Sequence, residues 1–305
     1  MSQSLDTTDF SASLQNATGQ LSKRSKRIYE NDAKVFAKWL LDYNLIPDVF
    51  SRSHAIAYRA YLEETYQKAT AKRMLSVARR IFAEQVMSGK RSDNPFQDVK
   101  GFTVANETTH TALTKEQAKE LLDAIDQSTL IGKRDYALVS LLLRTGIRRS
   151  ECAALDIGDL QNEQGHTIAV IRHGKGDKRR IIKIPVDVFR SIQVYIKSVD
   201  RVRDPLDAPL FAGFDRWLRS TGERISDKLI ERTVKYYGRL IGVPKLTPHG
   251  LRATFITLAL EAGATLLQVQ YAAGHDDPRT TERYQTRKLN LDDNAVDKLA
   301  FLSRE

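Results

Sequence analysis

The chain has 305 residues, with 48 Lys and Arg against 38 Asp and Glu, a formal net charge of +10 and a pI near 9.6. Its length exceeds one small core and predicts two domains, and its basicity favours a polyanionic partner, nucleic acid being the commonest. One cysteine excludes an intrachain disulfide and fits a reducing compartment; six scattered histidines beside it argue against a zinc cluster, and no run of about 18 apolar residues offers a membrane span.

Residues 1–20 are polar and lack the apolar segment of a secretory signal, which predicts a flexible leader. Residues 21–100 predict a small all-helical domain. In 22–43, Ile28, Tyr29, Ala33, Phe36, Trp39 and Leu40 recur at helical spacing; 53–66 gives a second helix. The third, 69–88, has a core face of Met74, Val77, Ala78, Ile81 and Phe82. Lys72, Arg73, Arg79 and Arg80 decorate it and are candidate DNA contacts, with a solvated helix face as the bland reading. The first 100 residues carry 16 Lys and Arg against 11 Asp and Glu, and the remainder 32 against 27, so both parts are basic, as expected if both touch one polyanion.

The polar, aperiodic stretch 101–112 predicts an interdomain linker, and 113–305 a second domain. Thr114 is placed to cap a helix, and an apolar helix over 134–144 ends at Gly146. Two β-type runs, 166–173 and 179–186, flank the turn sequence "GKGDK", which predicts a hairpin; from 187 onward the pattern reads as helical. A tail helix at about 291–303 places Leu291, Ala295, Leu299 and Leu302 in one stripe. The predicted fold is mainly α with a small β-hairpin or sheet: an all-helical N-terminal domain plus an α+β C-terminal domain.

Four segments of the second domain carry groups suited to phosphate chemistry. In "LTPHGLR", Thr247 and Pro248 predict a helix start with His249 and Arg252 in the first turn, where free N–H groups favour an anion. In "TGIRRSE", Glu151 is spaced to orient Arg148. In "GKGDKRR", Lys175 stands between two glycines; Lys178, Arg179 and Arg180 could reach phosphate or be solvated. In "AGHDDPRTTERYQT", His275 precedes Tyr284 by nine residues. Two arginines, a lysine, two histidines and a tyrosine suffice for metal-free phosphoryl transfer. Arginines clamp non-bridging oxygens, a tyrosine attacks phosphorus, and histidine and lysine move the protons. No carboxylate cluster for two metals and no nucleotide phosphate loop is evident, so neither metal nor cofactor is expected.

In the order and approximate spacing of "TGIRRSE", "GKGDKRRIIKIP", "HGLR" and "AGHDDPRTTERYQT", the chain resembles the tyrosine recombinases, the phage integrase family. Residues 21–100 resemble that family's core DNA-binding domain and 113–305 its catalytic domain. The resemblance covers roughly residues 20–290 and implies a role for each matching residue. Tyr284 is the nucleophile that forms a 3′-phosphotyrosyl link, Arg148 and Arg252 clamp the scissile phosphate, and Lys175 protonates the leaving 5′-oxygen. His249 serves as acid and base, His275 hydrogen-bonds the phosphate, and Glu151 supports Arg148. Arg149 and Ala253 depart from the usual pattern, where an aliphatic residue and a histidine or polar residue are common.

The resemblance implies a site-specific recombinase of the two-domain, Xer-like type. It would exchange strands as a homotetramer on two double-stranded DNA sites, in the cytoplasm on the nucleoid. A type IB topoisomerase-like nicking and resealing enzyme, and a catalytically silent DNA-binding protein, are the alternatives. The target sequence, accessory proteins and directionality are not legible in the chain.

Overall fold

The computed structural model describes residues 7–19, 21, 23–104, 111–172, 179–274 and 281. The chain is mainly helical with small antiparallel sheets and divides into two compact units, Met1–Asn106 and Glu107–Glu305.

The first unit contains α1 (Thr7–Thr18), α2 (Lys23–Asp42), α3 (Arg52–Thr65) and α4 (Lys68–Met87). Part of the expected flexible leader is therefore α1, which packs against α4. Its inward residues are Ser13, Leu14, Ala17 and Thr18, and Thr18 Oγ1 donates to the Leu14 carbonyl at 2.8 Å. Small residues make most of that face, so the segment lacks the apolar periodicity that would announce a helix.

Phe36, Trp39, Phe50, Tyr58, Phe82 and Phe96 form this unit's core, with the rings of Phe36 and Tyr58 4.6 Å apart and those of Phe50 and Phe82 5.0 Å apart. Such pairs add roughly 0.5–1.5 kcal/mol each beyond the area they bury. Arginines satisfy the carbonyls of the irregular segments. Arg91 donates to Pro47 and Phe50 at 2.8 and 2.9 Å, and Arg59 donates to Lys100 at 2.8 Å while lying over the Phe102 ring. Phe102 is buried in the same core, so the second residue of the predicted linker is packed.

The second unit runs α5 (Lys115–Asp123), α6 (Leu130–Thr145), α7 (Arg149–Ala154), β1 (Leu160–Glu163), β2 (His166–Ile171), β3 (Arg180–Lys183), α8 (Val186–Ser198), β4 (Ala212–Phe214), β5 (Ser220–Arg224), α9 (Asp227–Leu240), α10 (Pro248–Glu261) and α11 (Leu266–Ala273). Helix α6 is buried along most of its length and packs on α8 and α10. Thr114 caps α5 by accepting from the Gln117 amide at 3.2 Å.

The first sheet is antiparallel in the order β1-β2-β3, with Leu160 opposite Ala169 and Ile168 opposite Lys183. Strand β1 escaped the sequence reading because its residues are nearly all exposed and do not alternate. The turn that joins it to β2, Gln164-Gly165, has φ of 51° and 77°, the mirror-image geometry that suits two-residue hairpins. The region after 187 is not wholly helical either: β4 and β5 pair as a short hairpin, and polar β5 gives no strand pattern.

Cys152 is buried in the second unit's core. Tyr271 lies near Leu267 and Val269 in the sequence, a setting that reads as core, yet it is 75% exposed. Helix α11 turns Val269 and Ala273 inward, and Tyr271, two residues from each, falls on the opposite face.

Candidate active site

The site grows from the three-residue loop between α6 and α7. Gly146 ends α6 in the left-handed conformation at φ 63°, and its amide caps the helix by donating to Leu142. A Cβ at this position would collide with the Phe255 ring. The turned carbonyl of Gly146 accepts from Arg252 Nη1 at 2.6 Å. Arg252 projects from α10 and is 3% exposed. That helix starts as the sequence predicts, with Thr247 Oγ1 accepting from the Gly250 amide at 3.1 Å and Pro248 in its first turn. His249 is exposed on the same turn.

Two residues beyond Gly146, Arg148 is the N-cap of α7. Its amide donates to Glu151 Oε2 at 2.9 Å and its Nη1 to Oε1 at 2.8 Å, so one carboxylate fixes backbone and guanidinium together. Its Nη2 donates to the Gly274 carbonyl at 2.5 Å. Gly274 closes α11 in the left-handed region and is the residue before His275. The Arg148 side chain keeps 24% of its surface exposed, which leaves the guanidinium approachable by an anion.

Glu151 also accepts from Arg180, which donates Nη1 to Oε1 at 2.8 Å and Nη2 to Oε2 at 2.7 Å. Burial pushes the Glu151 pKa up, but the hydrogen bonds and charges of Arg180 and Arg148 outweigh it and bring the carboxyl down to about 2. It is therefore an anion at neutral pH. The sequence reading leaves Arg180 in a run of cations, with Lys178 and Arg179, that could reach phosphate or be solvated, and does not single it out. Strand alternation is the signal that finds it: Arg180 shares a face with buried Ile182, whereas Arg179 and Ile181 are exposed.

The structure thus brings Arg148, Arg252, Glu151 and the peptide leading to His275 together. Lys175, Lys178, His275, Tyr284 and the expected tail helix lie outside the described residues. At the foot of the 173–178 segment, Arg172 and Arg224 both pair with Asp156, and Arg172 reaches Asp159 at 2.8 Å. Arg149 pairs with Glu231 at 2.5 Å, tying α7 to α9, and Ala253 is buried with Ile256, Val269 and Ala273 between α10 and α11. These contacts account physically for both unusual residues.

The cations of α4 divide. Arg73 forks onto Asp32 at 2.7 and 2.9 Å, and Arg79 donates to the carbonyls of Phe96 and Val99 at 3.1 and 2.7 Å. Lys72 and Arg80 are exposed, as is Arg179 in the second unit.

Residues 111–290 match the phage integrase family. A tyrosine recombinase of Synechococcus elongatus is 30% identical over 295 residues, covering 92% of this chain and 90% of its own. The tyrosine recombinase XerC of Thermodesulfovibrio yellowstonii is 30% identical over 294 residues, covering 93% and 92%. Among solved structures, the XerH recombinase bound to palindromic difH substrate in a post-cleavage complex aligns with a TM-score of 0.73 at 18% identity, over 99% of this chain and 91% of that one. The chain belongs to the phage integrase family, the tyrosine recombinases. Its activity is DNA strand transfer, the cleavage and rejoining of strands.

Proposed function

We propose that this chain carries out site-specific recombination through a 3′-phosphotyrosyl intermediate formed on Tyr284. The observation that supports it most is the convergence of Arg148 and Arg252 on the loop 146–148, with Arg148 also holding the carbonyl that precedes His275. In this reading both guanidiniums bind the non-bridging oxygens of the scissile phosphate and stabilise the charge that grows there. The Tyr284 oxygen attacks phosphorus as His249 accepts its proton. The bond to the 5′-oxygen breaks, and Lys175 supplies the proton that makes it a 5′-hydroxyl. His275 hydrogen-bonds the phosphate. The phosphotyrosine conserves the bond energy, so a 5′-hydroxyl of a second duplex reverses the step and completes exchange without a nucleotide cofactor.

Assembly as a tetramer on two double-stranded sites, in the cytoplasm on the nucleoid, belongs to the same reading. An apolar groove of about 560 Å³ in the second unit, lined by Ile168, Ile181, Leu267 and Tyr271, supports it as a surface left for a protein segment. In the first unit, Lys72 and Arg80 are the α4 cations best placed to meet phosphates.

The test uses duplexes that the wild-type protein selects from a randomised library, nicked beside the cleavage point so that the freed fragment diffuses away. Wild type should accumulate a covalent adduct, and Tyr284→Phe should bind the duplex and form none. A Tyr284→Phe adduct would remove the nucleophile assignment. Relaxation of supercoils without strand exchange between two labelled duplexes would favour the topoisomerase alternative.

A further inference from the structure

We propose that Arg180, on β3, is a positioning residue for DNA cleavage, acting through the carboxylate it shares with Arg148 and through its contact with Gly274. The proposal rests on Arg148 being a phosphate clamp.

Glu151 is the centre of the argument. Each of its oxygens accepts once from Arg148 and once from Arg180, and its side chain is 3% exposed. A buried carboxylate held by Arg148 alone would draw that guanidinium's charge to itself and repel an incoming phosphate at short range. With Arg180 present, two guanidiniums face one carboxylate, and the trio keeps one net positive charge for the phosphate. Four donors on a single carboxylate also restrict its rotation, and through it the plane of the Arg148 fork.

The second support is steric. A Cβ built on Gly274 would lie 2.5 Å from Arg180 Nε and 2.7 Å from its Cζ, so the guanidinium occupies the face a side chain would take. On its other side, the Gly274 carbonyl accepts from Arg148 at 2.5 Å. Arg180 therefore backs the peptide that leads to His275 while it braces the acid that orients Arg148. Its side chain is 16% exposed and both terminal nitrogens are engaged by Glu151, which sets it apart from exposed Arg179 as a DNA contact.

The experiment compares wild type, Arg180→Gln, Arg180→Lys, Glu151→Gln and Arg180→Gln/Glu151→Gln on the selected nicked duplex. It measures single-turnover cleavage at saturating protein, duplex Kd with its salt slope, and thermal unfolding. Arg180→Gln should bind with an unchanged salt slope and a Kd within about threefold, yet cleave about 10- to 100-fold more slowly, the range a displaced reacting group produces. Its rate should also fall off at a higher pH on the acid side, because Glu151 loses a cation that keeps it ionised. Arg180→Lys, with charge but no fork, should recover part of the rate. If Arg180→Gln does not fold, Arg180→Lys is read by the same criteria as a partial loss. The double variant should be no slower than the slower single variant, since both residues act along one chain of contacts.

Wild-type cleavage by Arg180→Gln overturns the proposal. So does a rate loss matched by weaker binding and a shallower salt slope, which would make Arg180 a direct phosphate contact, and so do additive losses in the double variant. Arg148→Lys separates the two readings. If it cleaves like wild type, the clamp assignment fails and takes Arg180's role with it. If it is inactive while Arg180→Gln is normal, only the proposal about Arg180 fails.

Discussion

Arg252 donates to the carbonyl of Gly146 at 2.6 Å across 106 residues of sequence, so the end of α6 and the first turns of α10 are joined beside Arg148. The contact exists because Gly146 adopts φ 63° and presents its carbonyl to α10. Gly146→Ala should destabilise the protein by on the order of 2 kcal/mol, from the left-handed backbone and the collision with Phe255. Denaturant unfolding checks this, and Phe255→Ala in the same chain should relieve less than all of the added cost, because the backbone strain remains.

The ionisation of Glu151 makes a pH prediction. Its folded pKa is depressed from an ordinary 4.5 to about 2. The stability it supplies is therefore complete above about pH 4.5 and is lost as pH falls through about 2. Wild type should exceed Glu151→Gln by on the order of 3 kcal/mol near neutral pH, and the gap should close as pH drops through that window. Urea unfolding of both proteins at pH 7, 4 and 3 measures it. A gap constant with pH would show that Glu151 contributes as a hydrogen-bonding shape and not as a charge.

The basic residues of α4 should separate into two kinds. Arg79→Ala removes the donors to Phe96 and Val99 and should cost about 1–3 kcal/mol of stability. Lys72→Ala and Arg80→Ala, both exposed, should leave stability within about 0.5 kcal/mol. If they meet phosphates, each should reduce the salt slope of duplex binding by about 1. Binding isotherms between 50 and 200 mM salt, set beside melting curves, distinguish the two behaviours.

Asp156 pairs with Arg172 and Arg224 at the foot of the 173–178 segment. Burial acts to raise its pKa, but the hydrogen bonds from Arg224 and Arg172 hold it below the usual carboxylate value. Asp156→Ala should cost about 1–3 kcal/mol by removing the carboxylate that Arg172 and Arg224 share, leaving Arg172 with Asp159 and Arg224 with the carbonyls of Ala153 and Leu155, and Asp156→Asn, which keeps an acceptor, should cost less. Equal melting temperatures for the two variants would contradict the pairing argument.

Much of the helical framework is legible along the chain because its signals are local. Thr247 and Pro248 start α10, Thr114 caps α5, and Gly146 stops α6, each through partners within four residues. Where local signals are weak, the reading misses. Helix α1 hides behind small and polar residues, β1 and β5 expose polar side chains, and Tyr271 sits on the outward face of its helix. Arg79 looks like an exposed helix cation until the carbonyls of Phe96 and Val99, 17 and 20 residues away, are folded against it.

The sequence by itself determined the family, because its motifs are short, ordered runs whose residue types are fixed by the chemistry of attacking a phosphate. Only the tertiary structure decided which cations share a partner. Arg180 and Glu151 are 29 residues apart, and Arg148 and Gly274 are 126 apart. Such pairs form where buried charge must be matched by opposite charge, and that requirement arises only once the chain has packed.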